Sequence, residues 1–233
     1  MRRKMIEEYI KKLSEYVGNP RAPISFEQLE KMKRFHVEKN YKDIIVCIHD
    51  TLNLQHLNLG IFFTVSDRSR MRCACMSIQT LHNPPEVRIR AKDSFVAAAP
   101  PETFIRIAAH ELSHTVLSTL YAGKPTIDEL EDTEVAVDLL AMMLGYREIF
   151  CIGNGYQENV PLSFSTLLER LRCSEKPRVA ILACLRFVGF YLMGNKTTLA
   201  YWHVGYLTPE EVQFATNILD RMFSETESLK ANR

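Results

Sequence analysis

The run His110-Glu111-Leu112-Ser113-His114 constrains this chain more than any other feature, because it sets two imidazoles four residues apart around a carboxylate. Residues at that spacing share one face of an α-helix, so both histidines can approach a single metal ion from one side. Glu111 stands one step round from the first histidine, within reach of a water on that metal. The plainer reading of such a stretch is a solvated polar face. Ala108, Ala109, Leu112, Val116 and Leu117 argue against it, since they make the helix largely apolar and therefore buried. Buried histidines and carboxylates need partners, because an unpaired polar group out of water is costly.

The segment that follows supplies them. Pro100-Pro101-Glu102 opens the histidine helix, and Gly123 with Pro125 closes it. Thr126 and Glu129 have the spacing of a capping box for a second helix, with Leu130, Val135, Leu139, Met142 and Met143 as its apolar positions. At roughly 1.5 Å per residue, the first helix climbs about 12 Å from His114 to Ala122 and the second descends about 10.5 Å from Ile127 to Glu134. Glu134 then returns to the level of His114, and Asp138, one turn further, to that of His110. A helical hairpin with this register offers His110, His114 and Glu134 to one zinc ion and leaves a fourth position for water, the pattern of a catalytic site. Glu111 is placed to take a proton from that water and pass it to a leaving amine. Asp138 is placed to receive the second N–H of His110. Glu131, three residues from Glu134 and sharing part of its face, is the rival third ligand.

An H-E-x-x-H motif followed, twenty residues after its second histidine, by Glu134-x-x-x-Asp138 resembles the gluzincin metallopeptidases, thermolysin type. The resemblance spans His110 to Asp138 and not the whole chain. It implies a zincin-like α+β fold and a zinc-dependent hydrolase that cleaves peptide bonds in a peptide or protein substrate. By it, His110, His114 and Glu134 hold the zinc, Glu111 is the catalytic base and Asp138 supports a ligand from behind. A mechanism of this kind also needs a donor near the developing negative charge, often a Tyr or His from the C-terminal half. Tyr156, Tyr201, His203 and Tyr206 are the candidates. His203 and Tyr206 are preferred because they flank the turn glycine Gly205.

Composition narrows the setting. At 233 residues and 46% hydrophobic content the chain can bury the core of one domain over 1–233, made of a mixed half (1–122) and a helical half (123–233). With 29 basic and 28 acidic residues the net charge is +1, so no global field favours nucleic acid or an anionic membrane. Arg2-Arg3-Lys4 leads into an amphipathic helix rather than a signal peptide, which needs an apolar central region. The apolar run Val179 to Met193 is interrupted by Arg186 and is too short to span a bilayer; it reads as a buried helix. Six scattered cysteines without an export signal read as free thiols of a cytoplasmic protein. Cys73-Ala74-Cys75 reads as two small buried residues on a strand, with a second metal or a redox role as the alternative.

Before the histidine helix, the sequence predicts helices over 3–17 and from the Ser25/Gln28 box to about Asn40. A strand, or a continuation of helix, is predicted at Ile44–Ile48, with further strands at Gly60–Val65, Met71–Ile78 and Glu86–Arg90. Pro84-Pro85 suggests that the last of these lies at a sheet edge, either to pair with an extended substrate or simply as a protected edge. After Gly145 the pattern is helical, ending with a helix capped by Thr208 that runs to about Phe223 before a frayed tail. Three functions fit: an intracellular zinc endo- or aminopeptidase, a zinc hydrolase of a non-peptide amide, or a zincin-like binding module without turnover. The intact Glu111 disfavours the last.

Overall fold

In the computed structural model of the chain, residues 2–55, 60–65, 74–79, 86–121, 132–161 and 197–231 are described. They form two compact units, one of Met1–Gly155 with His203–Arg233 and a smaller one of Tyr156–Trp202. The expected Thr126/Glu129 cap, Glu131, Cys73 and the apolar run 179–193 lie outside the described residues.

The larger unit is α+β. It opens with α1 (Arg2–Val17), α2 (Phe26–Val37) and α3 (Tyr41–Thr51). α2 begins with the predicted reciprocal box: Ser25 Oγ accepts from Gln28 N at 3.2 Å, and Ser25 N donates to Gln28 Oε1 at 3.1 Å. The strand considered for Ile44–Ile48 is helix instead. Ile44, Ile45 and Ile48 are all fully buried, and with Leu52 they repeat at helical rather than alternating spacing. Burial of that face decides against the β propensity of the isoleucines.

Strands β1 (Gly60–Val65), β2 (Ala74–Gln79) and β3 (Glu86–Ala91) form one sheet in the order β1-β3-β2. β3 pairs in parallel with β1, Gly60 opposite Glu86, and antiparallel with β2, Ala74 opposite Ala91. The expectation that Glu86–Arg90 is an edge strand is therefore wrong: it is the central one. Pro84 and Pro85 precede the strand and remove no ladder N–H from it, while Val87, Ile89 and Ala91 bury one face. The short helix α4 (Asp93–Ala98) leads into α5 (Pro101–Tyr121), the histidine helix, which packs against α2, α3, α6, α7 and β2.

α6 (Thr133–Ala141) is deeply enclosed beyond its first turn, with every residue from Val135 to Ala141 buried. It continues through one π-helical turn, Met142–Tyr146, into α7 (Arg147–Ile152). Gly145 is required in that turn: it has φ 111°, and a Cβ would stand 2.8 Å from the carbonyl oxygen of Ala22. The chain before α2 is laced to the turn through Arg21 N to Met143 O (2.8 Å) and Ile24 N to Gly145 O (3.1 Å). α8 (Pro209–Ala231) closes the unit. It starts at Thr208 as predicted but continues past Phe223 to Ala231, because nothing after Phe223 breaks a helix and Ser224, Thr226 and Ser228 bond back to carbonyls four residues earlier.

The expected all-helical C-terminal half is also corrected. β4 (Gly155–Pro161) and β5 (Thr197–His203) pair as a two-stranded sheet. Thr197-Thr198, Tyr201 and Trp202 are β-branched or aromatic, a composition that favours strand. Cys47 and Cys151 are free thiols. Among the described residues, no helix is long and apolar enough to cross a membrane.

Candidate metal centre

Arg106, His110 and His114 fall at four-residue spacing along α5 and so share one face of it. α6 supplies the opposite wall, with Glu134 in its first turn and Asp138 one turn on. Its start differs from the sequence expectation. A continuous helix from Thr126 through Glu134 does not form, because Asp132 is non-helical (φ −132°, ψ 87°) and acts as N-cap. The Asp132 carboxylate accepts from Val135 N at 3.3 Å, and its own N–H donates to the Tyr9 hydroxyl of α1 at 3.1 Å. Glu134 thus reaches the site on a helix begun at Thr133, not by the descent counted from Ile127. Because Glu134 and Asp138 keep their four-residue spacing, both still face α5.

His110 Nε2, His114 Nε2 and Glu134 Oε2 form a nearly equilateral triangle, with separations of 3.1, 3.2 and 3.3 Å. Four ligands arranged tetrahedrally at about 2.0–2.2 Å around a zinc ion stand about 3.4 Å apart. The donor set therefore suits such an ion with an outward adjustment of a few tenths of an ångström, and the three residues form a group able to hold a metal. The two imidazole planes cross at 85° with centroids 4.9 Å apart, so the nitrogens converge without the rings stacking.

Behind the triangle lies Asp138, fully buried in the apolar run Val135–Ala141. Its Oδ1 accepts from His110 Nδ1 at 2.7 Å. Its Oδ2 accepts from the backbone N–H groups of Tyr206 (2.9 Å) and Leu207 (3.3 Å). The Arg106 guanidinium lies 4.0 Å from the same Oδ2. With Nδ1 donating to Asp138, the Nε2 of His110 is the nitrogen turned toward Glu134 and His114.

Charge in the site follows these contacts. Burial opposes a charge on His110, but hydrogen bonds to Asp138 and Glu134 outweigh it and push its pKa up to about 9 in the metal-free protein. Burial and then the neighbouring His110 charge hold His114 below the ordinary histidine value. Glu134 is lowered chiefly by its hydrogen bond with His110. Burial would raise Asp138, yet the His110 bond and the charges of His110 and Arg106 keep it below the usual carboxylate range. A divalent cation entering here would have to displace the proton between His110 Nε2 and Glu134.

Glu111 follows His110 on α5, half-buried, and its charge is felt by that ring. Tyr206 also arrives at the site: its ring stacks on His110 at 5.5 Å and 23°, and it remains 49% exposed. His203 is placed differently. It ends β5, exposed, with Nε2 3.3 Å from the Leu207 carbonyl, and no described contact joins it to the triangle. Tyr156 is buried in β4, and the side chain of Tyr201 lies outside the described residues.

Sequence reasoning missed Arg106, the close approach of Gly205 to it, and the Leu207 N–H. Arg106 carried a signal, as the lone charge in the apolar stretch Phe104-Ile105-Arg106-Ile107-Ala108-Ala109, four residues before His110. The backbone donors carried none, since any residue can present an N–H. Compared with family models, with curated proteins and with solved structures, the chain matches none.

Proposed function

We propose that this chain is a zinc-dependent hydrolase of the zincin type, a metallopeptidase that cleaves peptide bonds. The observation that carries the reading is the convergence of His110 Nε2, His114 Nε2 and Glu134 Oε2 within 3.1–3.3 Å of one another, with Asp138 fixing the His110 tautomer from behind. When bound, a zinc ion in a three-ligand setting supplies a Lewis acid and lowers the pKa of a coordinated water toward about 7.

The remaining work falls to the chain's own groups. His110 and His114 meet the metal as neutral imidazoles, so the proton that His110 carries on Nε2 in the metal-free state must leave first. Glu111, half-buried beside His110, is the base that takes the proton of the attacking water and returns it to the leaving amine. Tyr206, with its half-exposed ring over His110, is the donor best placed for the charge that develops on the scissile carbonyl oxygen. The extended edge β2, against which α5 packs, replaces Glu86–Arg90 as the strand able to align a substrate backbone.

Metal content and turnover on a peptide library, with and without chelator, test the reading on the same preparations. Glu111→Gln is expected to keep its zinc and to lose turnover by about 10²–10⁴-fold. His110→Ala is expected to lose both. Hydrolysis that survives chelation, or a near-normal Glu111→Gln protein, overturns the proposal.

A further inference from the structure

We propose that Arg106 is a positioning residue for the metal centre: with the Gly205 turn, it locks one oxygen of Asp138 so that the other is aimed at His110. The inference rests on the reading of His110, His114 and Glu134 as metal ligands, and it concerns a residue outside the His-Glu-His motif. The two carboxylate oxygens of Asp138 have separate tasks. Oδ1 has His110 Nδ1 at 2.7 Å, while Oδ2 faces two backbone donors and the guanidinium. Two backbone hydrogen bonds and the charge of a guanidinium 4.0 Å away fix the carboxylate plane, and that plane sets the orientation of the imidazole.

Arg106 is itself held firmly enough to serve. It is 1% exposed, its Nη1 donates to the carbonyls of Phe150 (3.3 Å) and Gly153 (3.4 Å), and its guanidinium lies 4.6 Å over the Phe150 ring. These contacts anchor the cation to the end of α7, more than ten residues beyond Asp138. On its other side the guanidinium occupies the space a side chain at position 205 would need. A Cβ on Gly205 would stand 2.1 Å from Nη2, and Gly205 has φ 95°, so only glycine lets this turn close. The same turn presents the N–H groups of Tyr206 and Leu207 to Asp138 and the Tyr206 ring to His110. One buried cation is thereby in register with the ligand, its supporting carboxylate and the segment that covers them.

A buried carboxylate that loses its nearby cation turns toward other partners, whereas a merely structural arginine would affect the fold without touching the metal. Zinc affinity, measured by chelator competition on full-length protein, separates the two. Arg106→Met removes the charge and keeps the length. It is expected to weaken zinc by about 10–100-fold, the range for loss of an outer partner of a ligand. Because Arg106 acts through Asp138, the Arg106→Met/Asp138→Asn double variant is expected to bind no more weakly than Asp138→Asn alone. Arg106→Lys, which keeps a cation, is expected to recover most of the loss. An Arg106→Met protein within twofold of wild type, losses that multiply in the double variant, or a lysine variant as weak as the methionine one overturns the inference and leaves the metal centre standing. If Arg106→Met does not fold, Gly205→Ala takes its place, as it drives a methyl against the guanidinium on an exposed turn; unchanged zinc affinity there overturns the inference equally. Wild-type protein that binds no zinc sinks the metal-centre reading, and this inference with it.

Discussion

Replacing Asp138 by asparagine exposes how the site divides donors from acceptors. The carboxylate is fully buried and meets only positive hydrogens: His110 Nδ1–H on Oδ1, and the N–H groups of Tyr206 and Leu207 on Oδ2. An asparagine has the same shape but one acceptor and one donor end. If its oxygen faces the backbone, its NH2 points at His110 Nδ1–H, and the ring must shift its proton to Nε2, the nitrogen meant for the metal. If its oxygen faces His110, its NH2 points at two backbone N–H groups and leaves them unmet. In the first case a bond to a charged carboxylate gives way to one between neutral groups and the wrong nitrogen is left protonated; in the second both backbone donors lose their acceptor. A hydrogen bond to a charged group is worth about 1.5–3 kcal/mol. Expressed as metal affinity at about 1.4 kcal/mol per decade, that is roughly 10–100-fold, the magnitude found when an outer partner of a ligand is removed. Competition with a chromophoric chelator, run on wild type and Asp138→Asn side by side, reads the change directly. Unchanged zinc affinity in a folded Asp138→Asn protein would refute the role of Asp138 as the support of His110 and the tautomer argument with it.

Two further outcomes follow from the same geometry. Zinc at about one hundred times its dissociation constant stabilises the folded chain by about 2.7 kcal/mol, which for 233 residues raises Tm by roughly 5–11 °C; calorimetry should show this shift in wild type and none in His110→Ala. In metal-free protein, His110 is raised to about 9, above the unfolded value near 6.5, so its contribution to stability is complete below about pH 6.5 and fades as pH rises through about 9. His114 is lowered, so its own effect lies below that window. The urea midpoint of chelated protein should therefore fall between pH 6.5 and 9, and a midpoint that rises over this range contradicts the His110 contacts.

What the sequence disclosed depended on how local the cause was. The spacing of His110 and His114, the Ser25 box, the start of α5 at Pro101 and the Thr208 cap are each settled within a few residues, and each stands in the structure as read. Ile44–Ile48 was ambiguous because β-branched residues and a buried helical face compete, and only the core that α3 packs against resolves it. The position of β3 was misread for a similar reason. Two prolines describe the residues before a strand, but whether a strand is central depends on partners arriving from elsewhere, here β1 from upstream in parallel and β2 from the other side.

Glu134 comes close to the two histidines by a path other than the one counted. The count of helical rises from Ile127 assumed a helix that the Asp132 cap interrupts. Its result nevertheless matches the observed proximity, because the four-residue spacing of Glu134 and Asp138 is a property of α6 alone, and two facing helices bring paired carboxylates to paired histidines over a range of starting points. What periodicity could not supply is the layer behind: Oδ2 of Asp138 is held by main-chain donors at 206 and 207, some seventy residues away in sequence, and faces, at 4.0 Å, an arginine whose fit requires that position 205 have no side chain. A glycine at 205 read alone signals a turn. Read against Arg106, it signals a place where the backbone and a buried cation meet, beside the carboxylate that holds His110.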